Sequence, residues 1–169
     1  MKKIATTLCL TALWTLASTV LGQSPTPAGA TKETATEHHL IKIPSDLRWV
    51  DGPPSLPAGA KMVVLEGDPE KPGPFTVRFQ APAGYKIPAH THPTAEQITV
   101  ISGTLNFGMG DKVDETATTK MPPGSFTVMP VGMKHFVISK EETVVQVSST
   151  GPFEINYVNP ADDPRKAKK

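Results

Sequence analysis

Apolar and polar positions alternate in short runs along most of this chain, and the period of the runs is that of β-strands rather than helices. Met62–Leu65, Phe75–Phe79, Gln97–Ile101, Thr104–Met109, Ser125–Met129, Phe136–Ile138, Thr143–Ser148 and Glu154–Val158 are rich in Val, Ile, Phe and Thr. Clusters of Gly, Pro and Asp separate them: GDPEKPGP, APAG, GMGD, PPG, PVG and TGP. No helical period of ordinary length runs between Lys61 and Val158. Eight short strands over roughly a hundred residues predict a single all-β domain, a sandwich or barrel. Met62–Leu65, Phe107, Phe126 and Phe136 are the natural core positions.

The two ends break this pattern. Met1-Lys2-Lys3 is followed by Ile4–Leu21, which carries no charge, and Val20-Leu21-Gly22 offers small residues before Gln23. That sequence of features predicts a signal peptide over residues 1–22 and a periplasmic or secreted mature protein, with no membrane association after cleavage. Cleavage removes Cys9, the single cysteine, so the mature chain has neither disulfide nor thiolate chemistry. Residues 23–60 form a flexible leader, small and polar to Glu37, and then an extended arm. Prolines at 44, 53, 54 and 57 forbid a long helix in that arm. Residues 61–158 are the folded domain, and residues 159–169 a polar tail.

The 169 residues hold 18 Pro and 13 Gly without a fixed period, which excludes collagen and argues against a helical bundle. Seventeen Lys and Arg stand against sixteen Asp and Glu, with no basic cluster beyond Arg165–Lys169, so nucleic acid is not an expected partner.

Candidate chemistry lies in three of the five histidines. They fall in two Gly/Pro frames, Gly84-x5-His90-x-His92-x3-Glu96-x6-Gly103 and Gly124-x5-Pro130-x-Gly132-x2-His135. His90 and His92 are two residues apart on extended backbone, so both imidazoles project from one face. A turn through Pro93-Thr94-Ala95 would fold the Glu96 strand back as a hairpin beside them, and His135 would close the set from across the sandwich. Three imidazoles and a carboxylate suit one divalent transition metal (Fe, Mn, Ni, Cu or Zn) and leave positions open for water or substrate. A lone histidine is more often surface or hydrogen-bonded core, and His38 and His39 read that way. Chance agreement with the first frame alone is only on the order of 10⁻⁵–10⁻⁴ over the chain.

These two frames resemble both motifs of the cupin family at every position named, departing only at Ser139, where the second motif often ends in Asn. The resemblance covers Lys61 to Val158. It implies a double-stranded β-helix, the jelly-roll barrel of cupins, with the metal in its mouth and His90, His92, Glu96 and His135 as ligands. It also implies a single-domain protein that forms a homodimer, with the Leu40–Ala60 arm a candidate for packing across it. Strand parity then places Ile98 and Val100 on the Glu96 face, and Met133 and Val137 on the His135 face, as walls of an apolar pocket. No Ser/His/Asp triad and no phosphate-cradling Gly loop accompany them.

Cupins host many activities, so fold and ligand set do not name a reaction. One expectation is an exported metal-dependent enzyme, a dioxygenase or an isomerase and most simply of the oxygenase type, acting on a small organic molecule, with Glu96 either staying ligated or acting as a proton acceptor. The other is a non-catalytic module that binds a metal or small ligand, as a sensor does.

Overall fold

A computed structural model of the chain describes residues 39–166. The signal-peptide and leader expectations, over residues 1–22 and 23–37, lie outside the described residues, as does His38. Eleven strands follow in chain order: β1 (Val50–Asp51), β2 (Lys61–Glu66), β3 (Gly73–Ala81), β4 (Tyr85–Thr91), β5 (Glu96–Ser102), β6 (Leu105–Met109), β7 (Thr118–Met121), β8 (Phe126–Met129), β9 (His135–Ser139), β10 (Thr143–Gly151) and β11 (Asn156–Tyr157). Two single-turn 3-10 helices, Pro44–Asp46 and Pro160–Asp162, are the helical pieces among the described residues. The expected all-β class holds, because Gly and Pro cut the chain before any helix can propagate.

The strands form two antiparallel sheets, a six-stranded one in the order β1-β2-β3-β10-β5-β8 and a five-stranded one in the order β11-β4-β9-β6-β7. Their facing sides enclose the core, in which Phe75, Val77, Ile98, Val100, Phe107 and Val147 are all buried. Alternation explains the choice of face. In β3, Phe75, Val77 and Phe79 point inward, while Thr76 and Arg78 meet Ser148 and Gln146 of β10 on the outside.

Three strands escaped the sequence pattern. β7 is Thr118-Thr119-Lys120-Met121, a polar edge strand with no apolar alternation to announce it. β4 contains Pro88, which normally argues against a strand. β1 is only two residues long. Phe126, expected in the core, is 58% exposed, because β8 turns Met129 inward and Phe126 and Val128 outward.

The arm lies on its own barrel. Leu56 and Ala60 pack with Tyr85 and Ile155 in a second, smaller apolar cluster, while Leu40, Ile41 and Ile43 stay exposed. Two phenol hydroxyls tie it down: Tyr85 donates to the Pro57 carbonyl at 2.6 Å and Tyr157 to that of Ser55 at 2.8 Å.

Candidate metal centre

The imidazoles reach the interior through an irregularity in β4. Ile87 pairs with Val137 of β9, but the next pair is His90 with His135, so β4 spends three residues where β9 spends two. This bulge at Pro88-Ala89 inverts the parity of the strand. Tyr85 and Ile87 point into the barrel before it, and His90 and His92 after it. Pro88 fits there because a bulge does not need its missing N–H.

His135 opens β9 directly beside His90 in the same sheet. Glu96 opens β5, which pairs with β10 and β8 in the other sheet. The expected arrangement is therefore reversed. β4 and β5 do not form a hairpin, since Pro93-Thr94-Ala95 is a corner that carries the chain from one sheet to the other. The carboxylate crosses the sandwich, and His135 is the near neighbour.

Donor atoms of His90, His92 and His135 all lie within 4.8 Å of one another. The Glu96 Oε2 is 3.5 Å from the His92 Nε2 and 3.4 Å from the His135 Nε2. All four side chains are buried. Each imidazole is oriented by the main chain: the Nδ1 of His90 bonds the Pro88 carbonyl at 2.7 Å, that of His92 the Glu154 carbonyl at 2.7 Å, and that of His135 the Met133 carbonyl at 3.1 Å. A carbonyl can only accept, so each Nδ1 carries a proton, and a ring in its neutral form has its Nε2 lone pair bare. Flat aromatic rings fix the planes further. Phe153 stacks on His92 at 4.4 Å between centroids, and Phe107 on His135 at 5.4 Å.

Burial, with the neighbouring imidazoles His135 and His92, holds the His90 ring well below its ordinary pKa. Burial lowers His92 too, against the pull of Glu96. The buried His92 ring, which resists protonation, thus lies 3.5 Å from Glu96 with no hydrogen bond between them. Among the described residues, the His92 Nε2 and the Glu96 Oε2 have no hydrogen-bond partner. Such orphaned, mutually repelling acceptors are costly unless a cation lies among them. Two donors about 2.1 Å from one cation stand about 3.0–3.4 Å apart, close to the separations of Glu96 from the two rings. The residues fit a divalent transition metal held by His90, His92 and His135, with Glu96 alongside.

The centre opens on a cavity of about 320 Å³ between the sheets. Ile98 and Val137 line it. Val100 is buried in the hydrophobic core but lies outside the walls. Met133 precedes β9 in the Pro130–Met133 turn, where strand parity does not apply, and is 38% exposed. The walls also include Tyr85, Ser139, Phe153 and the arm residues Pro53 and Leu56, none of which the motifs announced as pocket residues. Tyr85 was out of reach, because parity counted back from His90 puts it on the opposite face and only the bulge at Pro88-Ala89 turns it inward. Phe153 lies beyond both motifs and had no signal. Burial pushes the Tyr157 phenol up to about 12 and raises Tyr85 as well, so both remain protonated hydrogen-bond donors to the arm.

Two apposed antiparallel sheets with a three-histidine cluster and a glutamate at one end define a cupin, and the fold class expected from the motifs is the one observed. The chain belongs to the ChrR cupin-like domain family, whose model matches residues 37–154. Among curated proteins it is 34% identical over 77 residues to germin-like protein 1 of Brassica napus, covering 43% of this chain and 37% of that protein. Germin-like protein subfamily 3 member 1 of Arabidopsis thaliana is also 34% identical over 77 residues, with 43% and 36% covered. The match thus spans little more than a third of either relative. Of solved structures, the polyketide cyclase RemF from Streptomyces resistomycificus superposes with a TM-score of 0.61 at 17% identity, over 76% of this chain and 92% of that one. An acetylacetone dioxygenase from Acinetobacter johnsonii does so with a TM-score of 0.61 at 17% identity, over 80% and 88%. At such identities these two matches speak to fold alone.

Proposed function

We propose that this protein is an exported, metal-dependent cupin enzyme of the oxygenase type that acts on a small organic molecule held inside the barrel. One observation carries the reading: the bare Nε2 atoms and the Glu96 carboxylate face an apolar cavity of about 320 Å³ rather than a closed shell of protein. A structural metal is enclosed by its ligands, whereas a working one keeps an open side. A bound transition metal supplies a Lewis acid and, where redox-active, an electron-transfer partner. His90, His92 and His135 hold it as neutral donors kept in one tautomer by backbone carbonyls. Glu96, within 3.5 Å of two of those rings, accepts and returns a proton at Oε2. Phe153, Ile98 and Val137 exclude water and orient an apolar substrate. By fold-level analogy, the dioxygenase and the cyclase above bear names of small-molecule enzymes on the same scaffold.

Export is supported by Met1-Lys2-Lys3 and the uncharged run to Leu21. Intact mass of cell-envelope material is expected to lack the first ~22 residues, and a full-length chain in the membrane pellet overturns export. Homodimerisation belongs to the same proposal through the cupin relationship.

A second reading, a non-catalytic sensor of a metal or small ligand, draws support from the walls. Beside the centre itself, the titratable groups lining the cavity are Tyr85, engaged with Pro57, and the solvent-exposed Glu70 and Arg165. Oxygen uptake by the Fe(II)-loaded protein against diketones, thiols and phenols separates the two. Consumption with at least one class supports the enzyme. A silent panel together with tight retention of a copurified molecule favours the sensor.

A further inference from the structure

One polar side chain in the cavity is left unused by the centre. Ser139 ends β9 on the face shared by His135 and Val137, lines the cavity and is 2% exposed. Its backbone is fully engaged: it pairs with Tyr85 on one side and Leu105 on the other, and its carbonyl accepts from the Gly84 N–H at 2.7 Å. Among the described residues, its hydroxyl makes no hydrogen bond. The neighbouring polar groups are already committed, since the Tyr85 hydroxyl donates to Pro57 and that of Thr143 is within reach of the Thr104 and Glu141 carbonyls. A hydroxyl that borders the cavity and is not used by the protein is free to meet a molecule held there.

Its position along the strand defines a length. Ser139 lies four residue steps beyond His135, which at about 3.3 Å per step places it about 13 Å along the barrel from the metal centre. Between them the walls are hydrocarbon: Ile87, Ile98, Val137, Val145 and Val147. The register neighbours of Ser139, Tyr85 and Leu105, carry no charge, so nothing beside the hydroxyl calls for a charged group.

We propose that Ser139 is a specificity-determining residue and that the cavity takes an elongated, hydrocarbon-bodied molecule with a metal-binding oxygen at one end and a neutral hydroxyl or carbonyl oxygen at the other. Ser139 hydrogen-bonds the far oxygen and so sets the length that fits. This rests on the reading of the centre as a metal site that opens to the cavity.

The test uses zinc-loaded protein and two probe series, n-alkyl hydroxamates from hexano- to dodecanohydroxamate and their ω-hydroxy counterparts, titrated by calorimetry. In the unaltered protein, the ω-hydroxyl is expected to tighten binding about 3- to 10-fold at one chain length, the return of a single neutral hydrogen bond. In Ser139→Ala that gain vanishes, while the plain alkyl series binds as before and the melting temperature is retained. A gain that survives in Ser139→Ala, or appears at no length while the plain series binds, overturns the inference and leaves the metal reading standing. Failure of every hydroxamate to bind overturns the metal reading, and this inference with it.

Discussion

Acid is expected to destabilise the metal-free protein in a window set by two histidines. His90 and His92 are held neutral in the fold by burial, below the ordinary value of 6.5. In the unfolded chain both recover that ordinary value. Below about pH 6.5 the unfolded state therefore binds protons that the native state refuses, and stability falls as pH falls. Each such group contributes a slope of at most about 1.4 kcal/mol per pH unit, so the pair sets an upper limit of about 2.7 kcal/mol between pH 6.5 and 5.5. Against a domain stability of about 5–15 kcal/mol this is a large share. Urea unfolding of chelator-stripped protein at pH 7.5, 6.5 and 5.5 measures it. A drop of about 1–3 kcal/mol is expected over the lower interval, with little change over the upper one. The exposed carboxylates whose pKa values are lowered by partners, among them Asp51 beside Lys61 and Glu115 beside Lys86, titrate in a more acidic range and leave this window clear. His90→Ala, which removes one of the two groups, should lessen the slope. Stability that is flat or rising from pH 6.5 to 5.5 refutes the account of these rings as buried neutral bases.

The same centre predicts that His90→Ala, His92→Ala or His135→Ala loses metal affinity by at least ~10–100-fold, the loss known for mere outer partners of ligands. Plasma mass spectrometry of the purified variants reads this out, with His39→Ala at wild-type stoichiometry. Glu96→Gln should keep more metal than the histidine variants yet abolish turnover in the oxygen-uptake assay. Stripping the metal should lower the melting temperature in the form RT ln(1 + [L]/Kd) while circular dichroism stays β, because the core between the sheets needs no cation; random-coil spectra contradict this. Gly108→Ala would place a Cβ at 2.0 Å from the Phe136 ring that lies across it, and such overpacking costs about 1–3 kcal/mol, read as a lower urea midpoint.

Much of the centre was legible because its ligands sit in frames whose Gly and Pro positions are themselves turns. Gly84, Gly103, Gly124 and Gly132 all adopt positive φ, the conformations that make those frames recognisable. Strand runs were legible wherever one face is buried and the other wet, as in β3. Sheet membership was not. The Pro93-Thr94-Ala95 corner reads locally like a tight reversal, and only the register of β5 on β10 reveals that Glu96 stands opposite the histidines rather than beside them. The Pro88-Ala89 bulge was equally hidden, since nothing local tells a parity break from a regular strand. Met133 failed for the opposite reason, since parity was extended past the end of its strand.

The acceptors that orient the three imidazoles are the carbonyls of Pro88, Met133 and Glu154. A carbonyl is common to all residue types, so the side chains at 133 and 154 can change without disturbing ring tautomer or direction. The cavity walls, in contrast, are written entirely in side chains. Ring tautomer thus draws on the backbone path and ligand choice on what hangs from it, with Phe153 alone serving both the plane of His92 and the wall. A lineage carrying this barrel is free to exchange ligands by substitution at the walls while handing down the same three bare nitrogens.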